Sequence, residues 1–220
     1  MPSDFARRMG ELLGQMRRNM DGVTAEAMYN AGVRGLLNYG VGIPTIRAIS
    51  RSCGPDHMFA KYLYRQQVRE LRMAAVSIAV PGSVTVDELP FWIGEGQNLS
   101  TELLDELAMQ LISRTAPQVL DAVAGEWLER GSASARYAAL MSFSRAKGYD
   151  MQRVLTAMSK AVGELPDDMR LAHGAVIWAA SAASADESMV PQIWRTAEML
   201  STSGAAGRHF ADETEWLISE

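Results

Sequence analysis

The stretch Gly54–Val80, GPDHMFAKYLYRQQVRELRMAAVSIAV, predicts two consecutive α-helices. Pro55 and Asp56 are residue types that suit the first turn of a helix, so the first helix begins there. Apolar residues recur at helical spacing in the second half, at Val68, Leu71, Ala75 and Ile78. The stretch therefore predicts a pair of helices, the second of which buries one apolar face.

The second helix of this pair starts with a basic residue and continues with small apolar ones, and that pattern recurs. It begins at Arg72 (RMAAVSIA), at Arg136 (RYAALMSF) and more loosely at Arg170 (RLAHGAVIWA). The separations of 64 and 34 residues fit a repeat unit of roughly 32 to 40 residues. We therefore expect a stack of helix pairs, in which each second helix packs through small side chains.

Caps and helix breakers predict most of the other helices. Ser100 is a good N-cap for a helix to about Arg114, and the β-like run Ser83–Val86 is too short to found a sheet. The first helix carries apolar residues at helical spacing, at Phe5, Met9, Leu12, Met16 and Met20. Further helices are expected at about 117–129, 133–146, 150–163, 167–184, 189–202 and 205–218. At 220 residues the chain is long enough to bury a sizeable core, and we predict a single domain, 1–220.

Charge is distributed unevenly along the chain. The formal net charge is −5, yet residues 1–80 contain 11 Lys and Arg against 6 Asp and Glu, whereas residues 81–220 contain 10 against 20. Nearly all cations of the first part are arginines, whose planar guanidinium suits phosphate groups better than the lysine ammonium does. This favours a nucleic-acid contact in the first part, and a solvated charged surface is the alternative.

Composition argues against several other classes of function. Cys53 is the single cysteine, so an intrachain disulfide is excluded, a small packing role is expected and a reducing cytoplasm is the predicted location. We predict no metal site, because the three histidines lack ligand spacing: His57, His173 and His209. Neither a signal peptide nor a membrane span is predicted, because arginines interrupt the first apolar positions, at Arg7, Arg8, Arg17 and Arg18.

Two segments resemble a known family. Tyr39–Ile49 (YGVGIPTIRAI) and Leu63–Ala75 (LYRQQVRELRMAA) are similar to the front half of the DNA alkylation repair family of HEAT-repeat DNA glycosylases. Members of that family show a G-hydrophobic-x-x-P-x-x-R segment and later an R-E-x-x-x-A-A segment. The region of Asn98, the sequence Arg136-Tyr-Ala-Ala and the run around Trp178 continue the similarity in the expected order. The similarity covers about residues 28–185 and leaves extra helices at both ends.

The resemblance implies a fold and a chemistry. The implied fold is all-α, a HEAT/ARM-like helical-repeat superhelix whose concave, basic surface holds DNA. The implied activity is removal of N3- or N7-alkylated purines, in which an Asp carboxylate stabilises the cationic sugar and Trp rings pack against the nucleotide. That chemistry is physically reasonable, because a leaving group that is already cationic needs mainly a nearby negative charge and a positioned water. No metal or redox cofactor is implied.

Five arginines are predicted to contact DNA phosphates. Arg65, Arg69 and Arg72 have i, i+4, i+7 spacing, which would place them on one face of a helix, and salt bridges with Glu70 and its neighbours are the alternative. Arg47 closes the P-x-x-R segment, and Arg136 matches a family arginine that contacts phosphate. We therefore expect weak, salt-dependent binding of double-stranded DNA.

The implied catalytic motif is altered in this sequence. The family pattern is Asn-Trp-Asp-x-x-Asp, and the matching residues here are Asn98-Leu99-Ser100-Thr101-Glu102-Leu103. The carboxylate position is therefore Leu103, and Glu102 and Asp105 are the displaced candidates, with a solvated acidic helix face as the alternative. Trp92 and Trp178 are the candidates for lesion stacking, with a core role as the alternative.

Two hypotheses about function remain open at this point. The first is a DNA-binding, glycosylase-like repair protein whose excision of alkylpurines is absent or far below that of members with the intact motif. The second is a non-catalytic HEAT-like scaffold that binds protein or nucleic acid, because a fold does not by itself determine an activity.

Overall fold

The structure is a computed structural model that describes residues 2–93 and 99–218. Helices make up 75% of the chain, and no strand occurs within those two ranges. One isolated parallel bridge joins Leu37 to Val68. The prediction of an all-α fold of the helical-repeat class is confirmed.

The described helices follow one another with short connections. In chain order they are α1 Pro2–Arg17, α2 Gly22–Asn30, α3 Ile43–Arg51, α4 His57–Tyr64, α5 Arg69–Ile78, α6 Leu89–Trp92, α7 Thr101–Glu106, α8 Pro117–Ala122, α9 Ala133–Phe143, α10 Met151–Glu164, α11 Met169–Ala185, α12 Val190–Leu200 and α13 Gly204–Ile218. Two π-helical segments, Leu107–Leu111 and Val123–Glu129, directly follow α7 and α8. The helices expected beyond residue 117 are therefore present, with ends that differ by a few residues.

The chain divides into two compact units. The first unit comprises Met1–Ser83 with Asn98–Glu106, and the second comprises Val84–Gln97 with Leu107–Glu220. The expectation of a single domain over residues 1–220 stays a prediction.

In the first unit α5 is the central helix, and it packs against α3, α4 and α7. The predicted helix pair is present as α4 and α5, and the carboxylate of Asp56 caps α4 by accepting a hydrogen bond from the backbone N–H of Phe59 at 2.9 Å. Every residue of α5 from Arg69 to Val76 is buried. The two charged side chains that open this helix are therefore in the interior, where they need partners.

Two expectations about the first unit are wrong. Arg65 does not share a helix with Arg69, because Val68 has the extended backbone of an N-cap (φ −130°, ψ 123°) and α5 begins only after it. Met20 does not continue the apolar face of α1, because that helix ends at Arg17 and Met20 is 61% exposed.

In the second unit α11 is the central helix, and it packs against α9 and α13. Three of the long helices have an N-cap residue whose side chain accepts a backbone hydrogen bond. These residues are Ser132 before α9, Asp150 before α10 and Asp168 before α11. Gly174 lets α11 lie close to α9, because a Cβ there would stand 2.9 Å from the ring of Tyr137. The close packing of these helices follows from small residues, as the recurring sequence pattern indicated.

Candidate nucleic-acid interface

Arg69 is bonded on all sides to groups of its own unit. Its side chain is 1% exposed, and both oxygens of Glu102 on α7 accept hydrogen bonds from Nη2 at 2.6 Å, while Nε donates to Oε2 at 2.8 Å. On the other side of the guanidinium, Nη1 donates to the backbone carbonyl of Val41 at 3.0 Å and to Oε1 of Glu70 at 3.1 Å. In this conformation the guanidinium therefore bonds protein groups, and its predicted contact with phosphate stays a prediction.

Glu70 is the fully buried carboxylate of this group. Its Oε1 atom accepts hydrogen bonds from the backbone N–H groups of Tyr39 at 3.1 Å and Val41 at 3.3 Å. Its Oε2 atom has no hydrogen-bond partner among the described residues. The adjacent pair Arg69 and Glu70 thus joins the loop before α3 to the start of α5. The salt bridge predicted as the alternative to a phosphate contact is present.

Arg47 forms a second ion pair with α7. Its Nε atom donates to Oε2 of Glu106 at 3.0 Å, and Nη2 donates to Oε1. The Glu106 side chain is 4% exposed, whereas that of Arg47 is 37% exposed. In this pair the cation faces solvent and the carboxylate is covered, which is the reverse of the pair between Arg69 and Glu102.

Leu99 to Leu103 of the altered motif lie at and just before the start of α7, and Asn98 lies outside the described residues. Ser100 caps this helix, because its Oγ accepts a hydrogen bond from the backbone N–H of Leu103 at 3.3 Å. Leu103, at the family's carboxylate position, is 1% exposed and part of the core. Glu102 is bound by Arg69 and Asp105 is half-buried. The catalytic roles suggested for Glu102 and Asp105 stay predictions, and arginine already neutralises the charge of Glu102.

Arg72 and Arg65 differ in exposure. The Arg72 side chain is buried, donates from Nε to the carbonyl of Gln66 at 3.0 Å, and lies 5.7 Å from the centre of the Tyr64 ring. Burial raises the pKa of Tyr64 far above its ordinary value, although the charge of Arg72 partly opposes that shift. Arg65, in the turn after α4, is exposed to solvent. Of these two arginines, only Arg65 presents its side chain at the surface.

In the second unit Arg136 lies at the start of α9 and is largely buried. Its Nε donates to the carbonyl of Gly131 at 3.0 Å, and Nη2 lies 2.7 Å from Oε2 of Glu164. The hydrogen bond from Arg136 holds the pKa of the Glu164 carboxyl below its usual value. Its predicted phosphate contact stays a prediction.

The two candidate stacking residues are both in the core. Trp92 and Trp178 have no exposed surface, and the indole N–H of Trp178 donates to the hydroxyl of Tyr149 at 3.0 Å. Burial raises the pKa of Tyr149, and the hydrogen bond from Trp178 partly opposes the rise. The stacking role stays a prediction, and the burial of both rings favours the alternative of core packing.

Sequence motifs did not assign a DNA contact to three further exposed arginines of the first unit. Arg18, Arg34 and Arg51 are exposed and have no carboxylate partner among the described residues. Arg34 lies 4.9 Å from the ring centre of Tyr29, and Arg17 lies 5.5 Å from that of Tyr39. The excess of arginine in the first 80 residues was the signal that pointed to them, because it depends on no particular spacing.

A cavity of about 670 Å³ lies within the second unit, next to the start of α9. Leu89, Ile93 and Trp127 line it, and Arg130 pairs with Glu126 at its edge, with an N–O distance of 2.7 Å. These residues do not coincide with any of the predicted site residues.

Comparison with known protein families gives a match. A family model described as DNA alkylation repair enzyme matches residues 12–189. No curated protein and no solved structure matches the chain. Across residues 2–93 and 99–218, no three His, Cys, Asp or Glu side chains are grouped so that they could hold a metal ion. Over the same residues, no helix has the length and apolar character that crossing a bilayer requires.

Proposed function

Because the chain belongs to the DNA alkylation repair enzyme family, we propose that it binds duplex DNA through the phosphate backbone and has little or no ability to excise N3- or N7-alkylated purines. The observation that carries the proposal is the ion pair between Arg69 and Glu102, which neutralises the carboxylate nearest to the family's catalytic position. The arginines support DNA binding. The residues of α7 do not support excision of a base.

DNA binding is supported by exposed cations of the first unit. Arg18, Arg34, Arg51 and Arg65 all lie at the surface, and the Arg47 side chain is partly exposed. Guanidinium groups contact phosphate oxygens without reading base sequence, and the counterions that they release make such binding strongly dependent on salt. We therefore expect duplex binding that has little sequence preference and weakens steeply as salt rises.

The missing excision is supported by the surroundings of α7. Departure of a cationic purine leaves positive charge on the sugar, which an unpaired carboxylate in a site that excludes water stabilises. Glu102 is held by Arg69 through three hydrogen bonds and Glu106 by Arg47 through two. Leu103 is aliphatic and buried. A carboxylate already balanced by a guanidinium gives the transition state less stabilisation than an unpaired one.

A second candidate function is supported by a different observation. Helix α2 has no buried residue, and Val23 and Tyr29 on it are 80% and 57% exposed. Met20 and Leu37, which flank this helix in sequence, are also exposed. Four exposed apolar side chains within one short segment of the chain are a feature that a contact with another protein would explain, which supports a scaffold role.

Fluorescence anisotropy with a labelled duplex tests the proposal. The double variant Arg51→Glu with Arg65→Glu should weaken binding by a similar factor for unrelated sequences and should reduce its salt dependence. The matched control is Arg195→Glu with Arg208→Glu, which reverses two exposed arginines of the second unit and should change affinity much less. Unchanged affinity in the first variant would remove the DNA proposal and favour the scaffold.

Charge reversal at Arg69 and Arg72 is unsuited to this test. Both side chains are buried and bonded within their unit, so carboxylates at these positions would be desolvated without partners. A loss of DNA binding in such a variant would report unfolding.

A further inference from the structure

We propose that Arg69 is a covered binding site for a phosphodiester group and that Glu102 occupies this site from within the chain as a displaceable substitute. The inference rests on the proposed DNA binding, because it names the backbone phosphate of duplex DNA as the group that replaces Glu102. It assigns Glu102 the role of a carboxylate that restrains DNA binding.

Among the side chains of Arg69, Glu70 and Glu102, the carboxylate of Glu102 is not needed to balance the charge of the arginine. Arg69 meets two carboxylates, and Glu70 alone already balances its charge from a fully buried position held by two backbone N–H groups. Removal of Glu102 leaves Arg69 and Glu70 as a neutral pair. A phosphodiester carries one negative charge, so its arrival restores the charge that the carboxylate of Glu102 supplies now.

The geometry of the guanidinium fits the same exchange. Nε and Nη2 face Glu102, whereas Nη1 is held by the carbonyl of Val41 and by Glu70. The Nε and Nη2 edge of arginine presents two parallel donors, which match two oxygens of a carboxylate or of a phosphate equally well. Because Nη1 keeps its partners, this edge stays in position when Glu102 leaves.

The exposed fractions of the three side chains indicate which of them can leave the cluster. The Glu102 side chain is 27% exposed, whereas those of Arg69 and Glu70 are 1% and 0% exposed, so the group reaches solvent at Glu102. Glu102 lies in the first turn of α7 and is joined to Arg69 through its side chain alone. Rotation about the side-chain torsions of Glu102 moves the carboxylate into bulk water without any change in the backbone. The exchange therefore yields a solvated carboxylate, not the water-excluded one that excision requires.

The ion pair between Arg47 and Glu106 lacks this arrangement. There the arginine is the exposed member and the carboxylate is covered, so no cation is hidden behind an exposed acid. The two pairs lie one helical turn apart on α7, at i and i+4, yet only the one at Glu102 covers its arginine.

Duplex affinity of a Glu102→Ala variant is the first test, with Glu26→Ala as the control for loss of one negative charge. Glu26 is an exposed residue of α2 in the same unit. Glu102→Ala should bind duplex DNA more tightly than Glu26→Ala does, and its log affinity should fall more steeply with log salt by about 0.9, the value for one added phosphate contact on B-DNA. Equal affinities and equal slopes would overturn the inference. Should Glu102→Ala fail to fold, Glu102→Gln is compared with Glu26→Gln in the same way.

The NMR signal of the Arg69 Nε–H group, assigned by its loss in Arg69→Lys, separates the two proposals. In Glu102→Ala this signal should shift and saturate with a short duplex and also with inorganic phosphate, whereas in the unmodified protein free phosphate should shift it much less. A shift with phosphate, in a protein that binds no duplex, would refute the proposed function and support the covered site. Duplex binding that leaves the Arg69 signal of both proteins in place would refute the covered site and leave the proposed function standing.

Discussion

Arg47 of α3 holds the covered carboxylate of Glu106 on α7 through two hydrogen bonds, and the bond from Nε to Oε2 is 3.0 Å long. The two residues are 59 positions apart in sequence, and the pair joins helices that no local motif relates. A buried carboxylate that loses its partner cation still bears the cost of desolvation. Loss of Arg47 would therefore destabilise the protein mainly by leaving the charge of Glu106 buried and unpaired.

The first prediction concerns this pair. Arg47→Met should lower the free energy of unfolding by about 1.5–3 kcal/mol, the range for hydrogen bonds to charged groups, because Glu106 is left covered and uncompensated. Arg51→Met, one turn later on α3 and exposed, should change it by less than about 0.5 kcal/mol. Urea denaturation measures both, and equal midpoints for the two variants would contradict the prediction.

The second prediction concerns excision. Release of 7-methylguanine or 3-methyladenine from methylated duplex DNA should stay at the uncatalysed level for the unmodified protein and for Glu102→Gln alike. Leu103→Asp should not restore activity, because its side chain would carry a charge into the core and unfold the chain instead. Chromatography of released bases measures the activity. If the unmodified protein excises these bases and Glu102→Gln abolishes it, Glu102 is the working carboxylate and the non-catalytic proposal is wrong.

The third prediction concerns acid. Burial of Asp56 tends to raise the pKa of its carboxyl, but hydrogen bonds from the Phe59 backbone and from Arg8 outweigh it and hold that pKa below its ordinary value. The stability that Asp56 contributes is therefore fully present above the unfolded-state pKa of about 3.9 and is lost as pH falls through the lower folded pKa.

Accordingly, Asp56→Ala should cost about 0.5–2 kcal/mol at pH 7, the range for loss of an N-cap, and the difference from the unmodified protein should narrow below about pH 3.9. Asp56→Asn keeps a capping side chain and removes the ion pair with Arg8, so its cost should be smaller. Denaturation curves over a series of pH values measure these differences. A pH-independent gap between Asp56→Ala and the unmodified protein would contradict the assigned pKa direction.

The fourth prediction concerns Trp178. Trp178→Phe should destabilise the protein by about 1–3 kcal/mol, because the hydroxyl of Tyr149 loses its donor in a partly buried place. The same change should raise the pKa of Tyr149 further, since the hydrogen bond from Trp178 lowers it. Ultraviolet titration of the tyrosines follows that shift. Duplex affinity should stay unchanged, and a selective loss of binding to methylated DNA by a stable Trp178→Phe protein would support the stacking role instead.

The sequence by itself determined where several helices begin and which fold class they build. Asp56 caps α4 through a backbone N–H three residues later, and Asp150 and Asp168 cap α10 and α11 in the same way. Such caps are local, because the carboxylate and the N–H that it accepts from belong to one helical turn. The all-helical class follows from the same local signals together with apolar spacing.

Only the tertiary structure decided the partners of the charged residues. The spacing of Arg65, Arg69 and Arg72 predicted one exposed face, yet the extended backbone at Val68 separates Arg65 from α5, and the remaining two arginines are buried. Glu102, the partner of Arg69, lies 33 residues away on another helix. Periodicity shows which residues share a face of a helix, but whether that face meets solvent or another helix depends on long-range packing, which one segment of sequence does not contain.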